Sequence, residues 1–318
     1  MALQCAVCAR MTTLFNYGVP SCNACKMFFR RVISGAFLEE CSSGCGSQKC
    51  RFCRFQICLR SGMNYIPIGN SLATDDSGFV LLTHLGNLDR QREDLRLNFY
   101  NSDNLSIRES ADQNIRFVRR HHTLLGNTGE WGFITAMTSV NYLKNFPFMN
   151  LLGLNDRAIL LRHGFLYFWL FAEARRCLQS SSSQLTYPDG TEVVPKVSFK
   201  NAEGLEKRIR GRLTGRAYEL KVTNEEFLLL SSVLFCNPVL PGLSETGTIL
   251  ITSYQKMYTS VLLKHCLLTH QQNGPSRFTD LLSFSHTIAK TKEDICYHHL
   301  MSMLSCPGLS YKRIFHNN

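Results

Sequence analysis

The sequence predicts a mainly α-helical protein with two parts of unequal size. Nine of its fourteen cysteines lie between Cys5 and Cys58, which indicates a small N-terminal module held together by metal. Residues 113–318 show long helical periodicity. Within them, the segment from Asp156 to Arg176 is apolar on nearly every side, so its helix needs cover on all faces. We therefore expect the module to be followed by a three-layer α-helical sandwich with one short β-hairpin.

The chain is long enough for two domains. At 318 residues it exceeds the roughly 250 residues that one hydrophobic core usually serves. We place the module at residues 1–68, a hinge at 69–77 and the helical domain at 78–318. The N-terminus has no basic segment followed by an apolar run, and the longest central apolar stretch, 165–172, is too short for a membrane span. We expect a reducing, intracellular setting, in which clustered cysteine pairs are more often metal ligands than disulfides.

The positive charge is concentrated in the module. The formal net charge of the chain is +11, and residues 1–70 hold eight Lys and Arg against two Glu. Such an excess of cations in a short segment is typical of a module that binds a polyanion.

The paired cysteines form two sets of four with the spacing of zinc ligands. In each set the second pair opens a helical segment, so that a loop is fixed to the start of a helix. Four thiolates suit a tetrahedral ion that prefers sulfur, for which Zn²⁺ is the usual choice. The ninth cysteine, Cys58, is expected to be a small buried hydrophobic residue. The two predicted zinc sites are Cys5, Cys8, Cys22 and Cys25, and Cys41, Cys45, Cys50 and Cys53.

The first helix of the module is predicted from about Asn23 to Ser34, with Gly35 as its C-terminal cap. Helical spacing puts its aromatic and branched residues on one side and its polar and cationic residues on the other. A helix with such a polar side fits the DNA major groove, where Lys and Arg donate to guanine and Asn pairs with adenine. The alternative is an ordinary solvated helix face, and the adjacent zinc ligands favour DNA. The outward side comprises Asn23, Met27, Arg30 and Ser34, and it is flanked by Lys26 and Arg31.

A second helix is predicted from about Cys50 to Ser61, and Gly62 closes it. Its three arginines, Arg51, Arg54 and Arg60, are candidates for phosphate contacts. Such contacts position a protein on DNA without reading its sequence.

Two stretches of the module resemble the DNA-binding domain of nuclear hormone receptors. Residues 17–31 read YGVPSCNACKMFFRR and residues 50–63 read CRFCRFQICLRSGM. The Asn23-Ala24 pair is similar to that of the divergent orphan receptors abundant in nematodes. The resemblance implies a sequence-specific DNA-binding transcription factor that acts in the nucleus and holds two zinc ions. It also implies base contacts from Asn23, Lys26 and Arg31, and contacts with the sugar-phosphate backbone from Tyr17 and Arg30.

Two features depart from the family pattern. Most members have Glu-Gly where this chain has Asn23-Ala24, so an acceptor for cytosine N4 is missing and the usual half-site is not expected. The second zinc loop is also shorter than usual, and in the family this loop carries dimer contacts. Dimerisation through the module is therefore not expected, while a homo- or heterodimer formed elsewhere stays open.

Local signals predict the elements of the helical domain. A helical pattern over 78–100 is followed by the polar segment Asn101 to Asp112, predicted as a loop. The hairpin is predicted to join 184–186 to 192–194, because the segment 187–191 carries Pro and Gly where a tight turn needs them.

Two further helices are predicted later in the chain. Thr223 begins a capping box for a helix that ends at Phe235. A longer helix is predicted from about Ser244 to His270.

Residues 143–161 resemble the junction of the third and fourth helices in nuclear receptor ligand-binding domains. In the family, a Lys near the end of the third helix and a Glu in a C-terminal helix hold the two ends of a coactivator helix. Lys144 corresponds to that Lys, and a solvated helix-end lysine is the alternative. Residues 308–318 contain no acidic residue, so the usual activation helix is expected to be missing, and repression or an unusual coregulator partner stays open.

A small apolar ligand is a further expectation for the helical domain. Phe165, Trp169 and the hairpin would wall its pocket, and the alternative is that these side chains are plain core. Arg175 would anchor a carboxylate, and the alternative is that it complements the helix dipole.

Catalytic motifs are missing from the sequence. It has no Gly-rich phosphate loop, no His-Glu-x-x-His pattern and no nucleophile elbow, so an enzyme is not expected. The competing hypothesis is a zinc module that binds other proteins. The cationic helix after Cys25 favours DNA instead.

Overall fold

The computed structural model describes residues 3–34, 38–63, 75–120, 127–197, 199–305 and 312–315. In the zinc module, two small antiparallel hairpins precede two helices. The strands are β1 (Leu3–Gln4), paired with β2 (Met11–Thr12), and β3 (Phe15–Asn16), paired with β4 (Val19–Pro20); the helices are α1 (Asn23–Ile33) and α2 (Arg51–Arg60).

Both predicted helices of the module are confirmed to within one residue at each end. α1 begins directly after Cys22 and ends before Ser34, and the predicted cap at Gly35 lies outside the described residues. α2 follows Cys50, and the chain leaves it through Gly62 with a φ of +87°, a conformation that favours glycine. The Gly62 N–H donates to the Leu59 carbonyl at 2.9 Å, which closes the last turn.

Eight helices and one further pair of short strands build the rest of the described chain. The strands β5 (Phe99–Tyr100) and β6 (Val118–Arg119) are antiparallel. The helices are α3 (Asp75–Asn98), α4 (Ile107–Asp112), α5 (Thr128–Lys144), α6 (Leu154–Gln179), α7 (Ala202–Leu220), α8 (Asn224–Phe235), α9 (Glu245–His270) and α10 (Gly274–Ser305). Short 3₁₀ turns span Met149–Leu151, Gln271–Asn273 and Arg313–Phe315.

Helix α6 lies at the centre of the helical domain and contacts α4, α5, α7, α8 and α10. Side chains are buried on nearly all of its faces, as the sequence predicted for the segment from Asp156 to Arg176. The layered, mainly helical fold is thereby confirmed. Among the described residues, no helix combines the length and the apolar character that a membrane crossing requires.

Helix starts in this domain follow the predicted capping residues. The Thr223 hydroxyl accepts the Glu226 N–H at 3.2 Å while the Glu226 carboxylate accepts the Thr223 N–H at 2.9 Å, so the predicted capping box is present. The Ser244 hydroxyl accepts the Gly247 N–H at 3.0 Å and starts α9 at the predicted place.

The prediction of a loop over Asn101–Asp112 is wrong for its second half. Ser106 and Glu109 form a capping box there, and the short helix α4 follows. Ile107 and Ala111 are buried, so tertiary packing stabilises a helix that is too short to be evident from periodicity.

The hairpin is smaller than its predicted extent. One antiparallel bridge joins Thr186 to Glu192, around a turn in which Gly190 has a φ of +87°. The predicted hinge at 69–77 lies outside the described residues up to position 74, and α3 already begins at Asp75.

A buried charge network joins α3 to the C-terminal half of α6. Arg96 forms an ion pair with Glu173, and each of these side chains is 1% exposed. Arg176 donates to the other carboxylate oxygen of Glu173 at 2.9 Å, and Arg175 donates to Asp89 at 2.6 Å. Such buried ions are stable only while every partner is present.

Candidate zinc centres and DNA-contacting helix

The first four-cysteine set converges on one point. The sulfur atoms of Cys5, Cys8, Cys22 and Cys25 lie within 4.8 Å of one another, and those of Cys8 and Cys22 are 3.6 Å apart. Tetrahedral coordination with Zn–S bonds of about 2.3 Å would separate the sulfurs by about 3.8 Å. The four thiolates therefore fit one Zn²⁺ ion.

The second set has the same geometry in a more exposed place. The sulfur atoms of Cys41, Cys45, Cys50 and Cys53 also lie within 4.8 Å of one another. The sulfur of Cys45 is 3.6 Å from that of Cys41 and 3.6 Å from that of Cys53. The prediction of two Zn²⁺ ions is therefore confirmed by two donor sets of the right number, type and spacing.

The thiols of the first site ionise unequally. Burial opposes ionisation of Cys5, but hydrogen bonds at the backbone of Cys22, Cys8 and Val7 outweigh it and lower its pKa to about 6. Burial raises the pKa of Cys25 against the opposing hydrogen bond from Arg54. Because zinc binds thiolates, metal binding at this site must release protons, most of all from Cys25.

Helix α1 separates a buried side from a polar one. Phe28, Phe29 and Val32 are buried, and the Phe29 ring stacks on Phe55 of α2 with 5.7 Å between ring centroids. On the other side lie Asn23 and Arg30, flanked by Lys26 and Arg31. Asn23, Arg30 and Arg31 are exposed there and Lys26 is half-buried.

Tyr17 lies in the tight turn between β3 and β4. Tyr17 has a φ of +55° and Gly18 a φ of +88°, the combination that a two-residue hairpin turn requires. The Tyr17 ring lies 5.0 Å from the Phe29 ring, centroid to centroid, and is half-buried. The turn therefore fixes Tyr17 beside α1.

The three arginines of α2 have different surroundings. Arg51 is exposed. Arg54 lies 4.5 Å above the Phe28 ring and donates to the Cys25 sulfur at 3.4 Å, a contact with the other zinc site that sequence reasoning missed. Arg60 approaches Glu245 of α9 at 3.4 Å.

Two of the three predicted ligand-contacting residues are buried, and one of them, Trp169, lies beside the hairpin turn. Phe165 and Trp169 are 8% and 6% exposed. The Trp169 ring lies 6.5 Å from Tyr187 and 6.2 Å from Phe315, centroid to centroid. Arg175 instead faces Asp89 and Asn224, with its guanidinium 4.1 Å above the Phe227 ring.

Lys144, at the last position of α5, contacts the main chain near α4. Its Nζ atom donates to the Gln113 carbonyl at 2.5 Å. Burial, followed by the nearby charge of Arg157, lowers the pKa of Lys144 to about 8. Gln113 is the C-cap residue of α4, so this lysine contacts the C-terminal end of a helix of its own chain.

Comparisons with known proteins agree with both halves of this architecture. Residues 3–65 match the family model described as a double treble clef zinc finger of the C4 type. Residues 125–304 match the model of the ligand-binding domain of nuclear hormone receptors, which is more than half of the chain.

Relatives align with nearly the whole chain. Nuclear hormone receptor family member nhr-167 of Caenorhabditis elegans is 36% identical over 98% of this chain and 95% of its own length. Family members nhr-27 and nhr-9 of the same organism are each 34% identical, over 92% and 98% of this chain and 85% and 94% of their own lengths. The chain therefore belongs to the nuclear hormone receptor family, whose members are transcription factors and not enzymes, and it carries a C4 zinc-finger domain and a ligand-binding domain.

Proposed function

We propose that this protein is a sequence-specific transcription factor whose helix α1 reads bases in the major groove. The observation that carries the proposal is the polar side of a helix whose start is fixed by two zinc-binding cysteines, on which Asn23 and Arg31 are exposed and Lys26 is half-buried. Tyr17, Arg30, Arg51 and Arg54 are proposed to contact the sugar-phosphate backbone. Since Asn23 pairs with adenine more readily than with cytosine, the preferred half-site should differ from that of relatives with Glu at this place.

Selection of duplexes from a random pool by the zinc-loaded full-length chain tests this function. We expect one enriched half-site, and a logarithm of affinity that falls steeply and linearly with the logarithm of salt concentration. Equal, weak binding to all sequences at moderate salt would overturn the proposal. That outcome would favour the alternative of a zinc module that binds proteins.

Regulation by a small apolar ligand between α6 and the hairpin turn belongs to the same proposal. The Trp169 Nε1 and Tyr187 hydroxyl groups are buried and have no hydrogen-bond partner among the described residues. A ligand with an apolar body and one polar group would satisfy them at little cost. Phe165 would contribute an apolar wall, while Arg175 would bind a carboxylate only after releasing Asp89.

Tryptophan fluorescence can test the ligand. The two tryptophans of the chain, Trp131 and Trp169, both lie within 7 Å of Tyr187, centroid to centroid. We expect saturable quenching with a bound apolar probe such as oleate, and a smaller response in Trp169→Phe, in which only Trp131 remains to report binding. A linear, non-saturating response in both proteins would contradict a specific pocket.

We propose that a coregulator binds at Lys144 but does not activate transcription in the usual way. Lys144 is engaged by Gln113, and residues 308–318 hold no acidic partner for a coactivator helix. We therefore propose repression, or a coregulator that displaces the Gln113 contact. Fluorescence anisotropy measures the binding of helical coregulator peptides to the wild-type chain and to Lys144→Ala. Weaker binding to Lys144→Ala is expected, and no binding to either protein would contradict a coregulator site at Lys144.

The proposed place of action is the nucleus, as is typical of the family. A fluorescent fusion of the full chain should accumulate there, and uniform exclusion from nuclei would contradict it. A homo- or heterodimer through the helical domain is also proposed. Analytical ultracentrifugation of the chain, alone and with candidate receptors, tests that association.

A further inference from the structure

The zinc module and the helical domain touch at the first turns of two long helices. Glu40 precedes the second zinc site, and its carboxylate accepts the backbone N–H of Leu154 at 2.8 Å. Leu154 is the first residue of α6, so its N–H has no acceptor within the helix. The residue before it, Gly153, offers no side chain as a cap. A carboxylate from the module therefore caps the central helix of the other domain.

A larger residue at position 153 would displace the Glu40 carboxylate from this contact. A Cβ atom built on Gly153 would lie 2.6 Å from the Glu40 carboxylate, and its three nearest neighbours are all atoms of Glu40. Gly153 has a φ of −67°, which any residue can adopt. Glycine at position 153 is therefore explained by the close approach of Glu40 and not by the backbone conformation.

A second polar contact and an apolar contact continue the interface. Arg60 of α2 lies 3.4 Å from Glu245 in the first turn of α9. Asp156 of α6 accepts both the backbone N–H and the hydroxyl of Ser244, at 2.9 and 2.6 Å, so the starts of α6 and α9 are held together. Leu59, which is 5% exposed, belongs to the same continuous apolar cluster as the helical domain.

We propose that the module docks on the helical domain in one fixed orientation, through Glu40 on α6 and Arg60 on α9. The polar side of α1 is not part of this contact, since Asn23, Arg30 and Arg31 remain exposed with both domains present. Docking therefore leaves these side chains accessible for the DNA contacts proposed above. The helical domain is then held at a set position beside the DNA. The inference goes beyond the proposed function and does not depend on it.

The Leu154 amide reports the contact directly, because Glu40 is its one acceptor in the described chain. Hydrogen–deuterium exchange of this amide is measured in the zinc-loaded full-length wild type, in Glu40→Ala and in Glu39→Ala. The exposed neighbour Glu39 is the matched control, with the same charge removed one residue away. We expect exchange about tenfold faster in Glu40→Ala than in the other two proteins. Equal exchange in all three would overturn the docking.

A second variant disturbs the same contact without changing Glu40 itself. Gly153→Val should displace Glu40 by crowding, enlarge the radius of gyration in small-angle X-ray scattering, and accelerate the same exchange. Combined with Glu40→Ala it should add nothing further, because both changes remove one contact. Additive effects would contradict the shared contact. A duplex that the protein binds should leave the exchange of the Leu154 amide slow. Faster exchange with this duplex would overturn the docking of the DNA-bound chain without contradicting DNA binding.

Discussion

The guanidinium group of Arg54 lies 3.4 Å from the sulfur atom of Cys25, so the helix of the second zinc site donates to a thiolate of the first. Arg54 also covers the Phe28 ring, which fixes the direction of its side chain. Hydrogen bonds of this kind orient metal ligands and stabilise their charged form. The two zinc sites are therefore chemically linked through one side chain.

Replacing Arg54 by Gln should weaken zinc binding at the first site by about 10- to 100-fold, because Cys25 loses its cationic donor. Competition with a chromogenic chelator measures this affinity. Arg51→Gln, at an exposed position on the same helix, should release zinc like the wild type. Identical zinc release by both variants would show that the Arg54 contact is not used.

The metal content of the chain should follow the two cysteine sets. We expect two zinc ions per chain in the wild type and one in Cys45→Ser, measured by elemental analysis after gel filtration. Cys58→Ala is the control, since Cys58 is fully buried and belongs to neither set. A loss of zinc in Cys58→Ala as large as that in Cys45→Ser would contradict the assignment.

DNA affinity should depend on the exposed side of α1. Lys26→Ala and Arg31→Ala should each cost about 1–3 kcal/mol in binding to the selected duplex and relax the base preference. Competition binding against scrambled duplexes measures both effects. Arg162→Ala removes an equal charge from an exposed position of α6 and should leave affinity nearly unchanged. A loss with Arg162→Ala that matches the other two would mean that only total charge matters.

Removing the Glu173 carboxylate should destabilise the helical domain strongly. In Glu173→Gln the buried Arg96 keeps its ion pair with Glu93 but loses the one with Glu173, and removing one partner of such a buried pair costs up to about 3–5 kcal/mol. Thermal or denaturant unfolding measures the loss of stability. Glu203→Gln, at an exposed position of α7, should change stability little. Equal stability of both variants would contradict the role of this pair.

Stability should also fall as the pH drops through the range of His163. Burial, with the nearby charge of Lys292, lowers the pKa of His163 to about 4, below the ordinary value of about 6.5. Between these values the unfolded chain binds a proton that the folded chain excludes, so the free energy of unfolding decreases as the pH falls from about 6.5 to about 4. Unfolding curves across this range measure the slope. His163→Gln should flatten it, whereas His286→Gln, at an exposed position of α10, should not.

The sequence was sufficient to predict those parts of the fold that depend on residues close together along the chain. The zinc sets follow from cysteine spacing, and the starts of α8 and α9 follow from Thr223 and Ser244, whose hydroxyls cap the next backbone N–H groups. The burial of α6 on all faces follows from its apolar composition. In each case the residues that set the structure lie within a few positions of one another.

The features that sequence reasoning missed depend on contacts between distant residues. Helix α4 has six residues and exists because Ile107 and Ala111 pack against the core. Arg54 is 29 positions from Cys25, and Glu40 is 114 positions from Leu154. The same holds for Arg175, whose partner Asp89 lies in another helix. No local pattern distinguishes such residues from solvated ones.

Helix α6 runs without a proline from Leu154 to Gln179, a span of about 39 Å. Its first residue receives the Glu40 carboxylate, its middle carries Trp169, and its last turns anchor the buried charges around Glu173. Gly164, the one flexible position in that length, is wedged against the Phe235 ring. We therefore expect the helix to move as one rigid body. A displacement of Trp169 by a ligand would then also displace Leu154 and its contact with the zinc module.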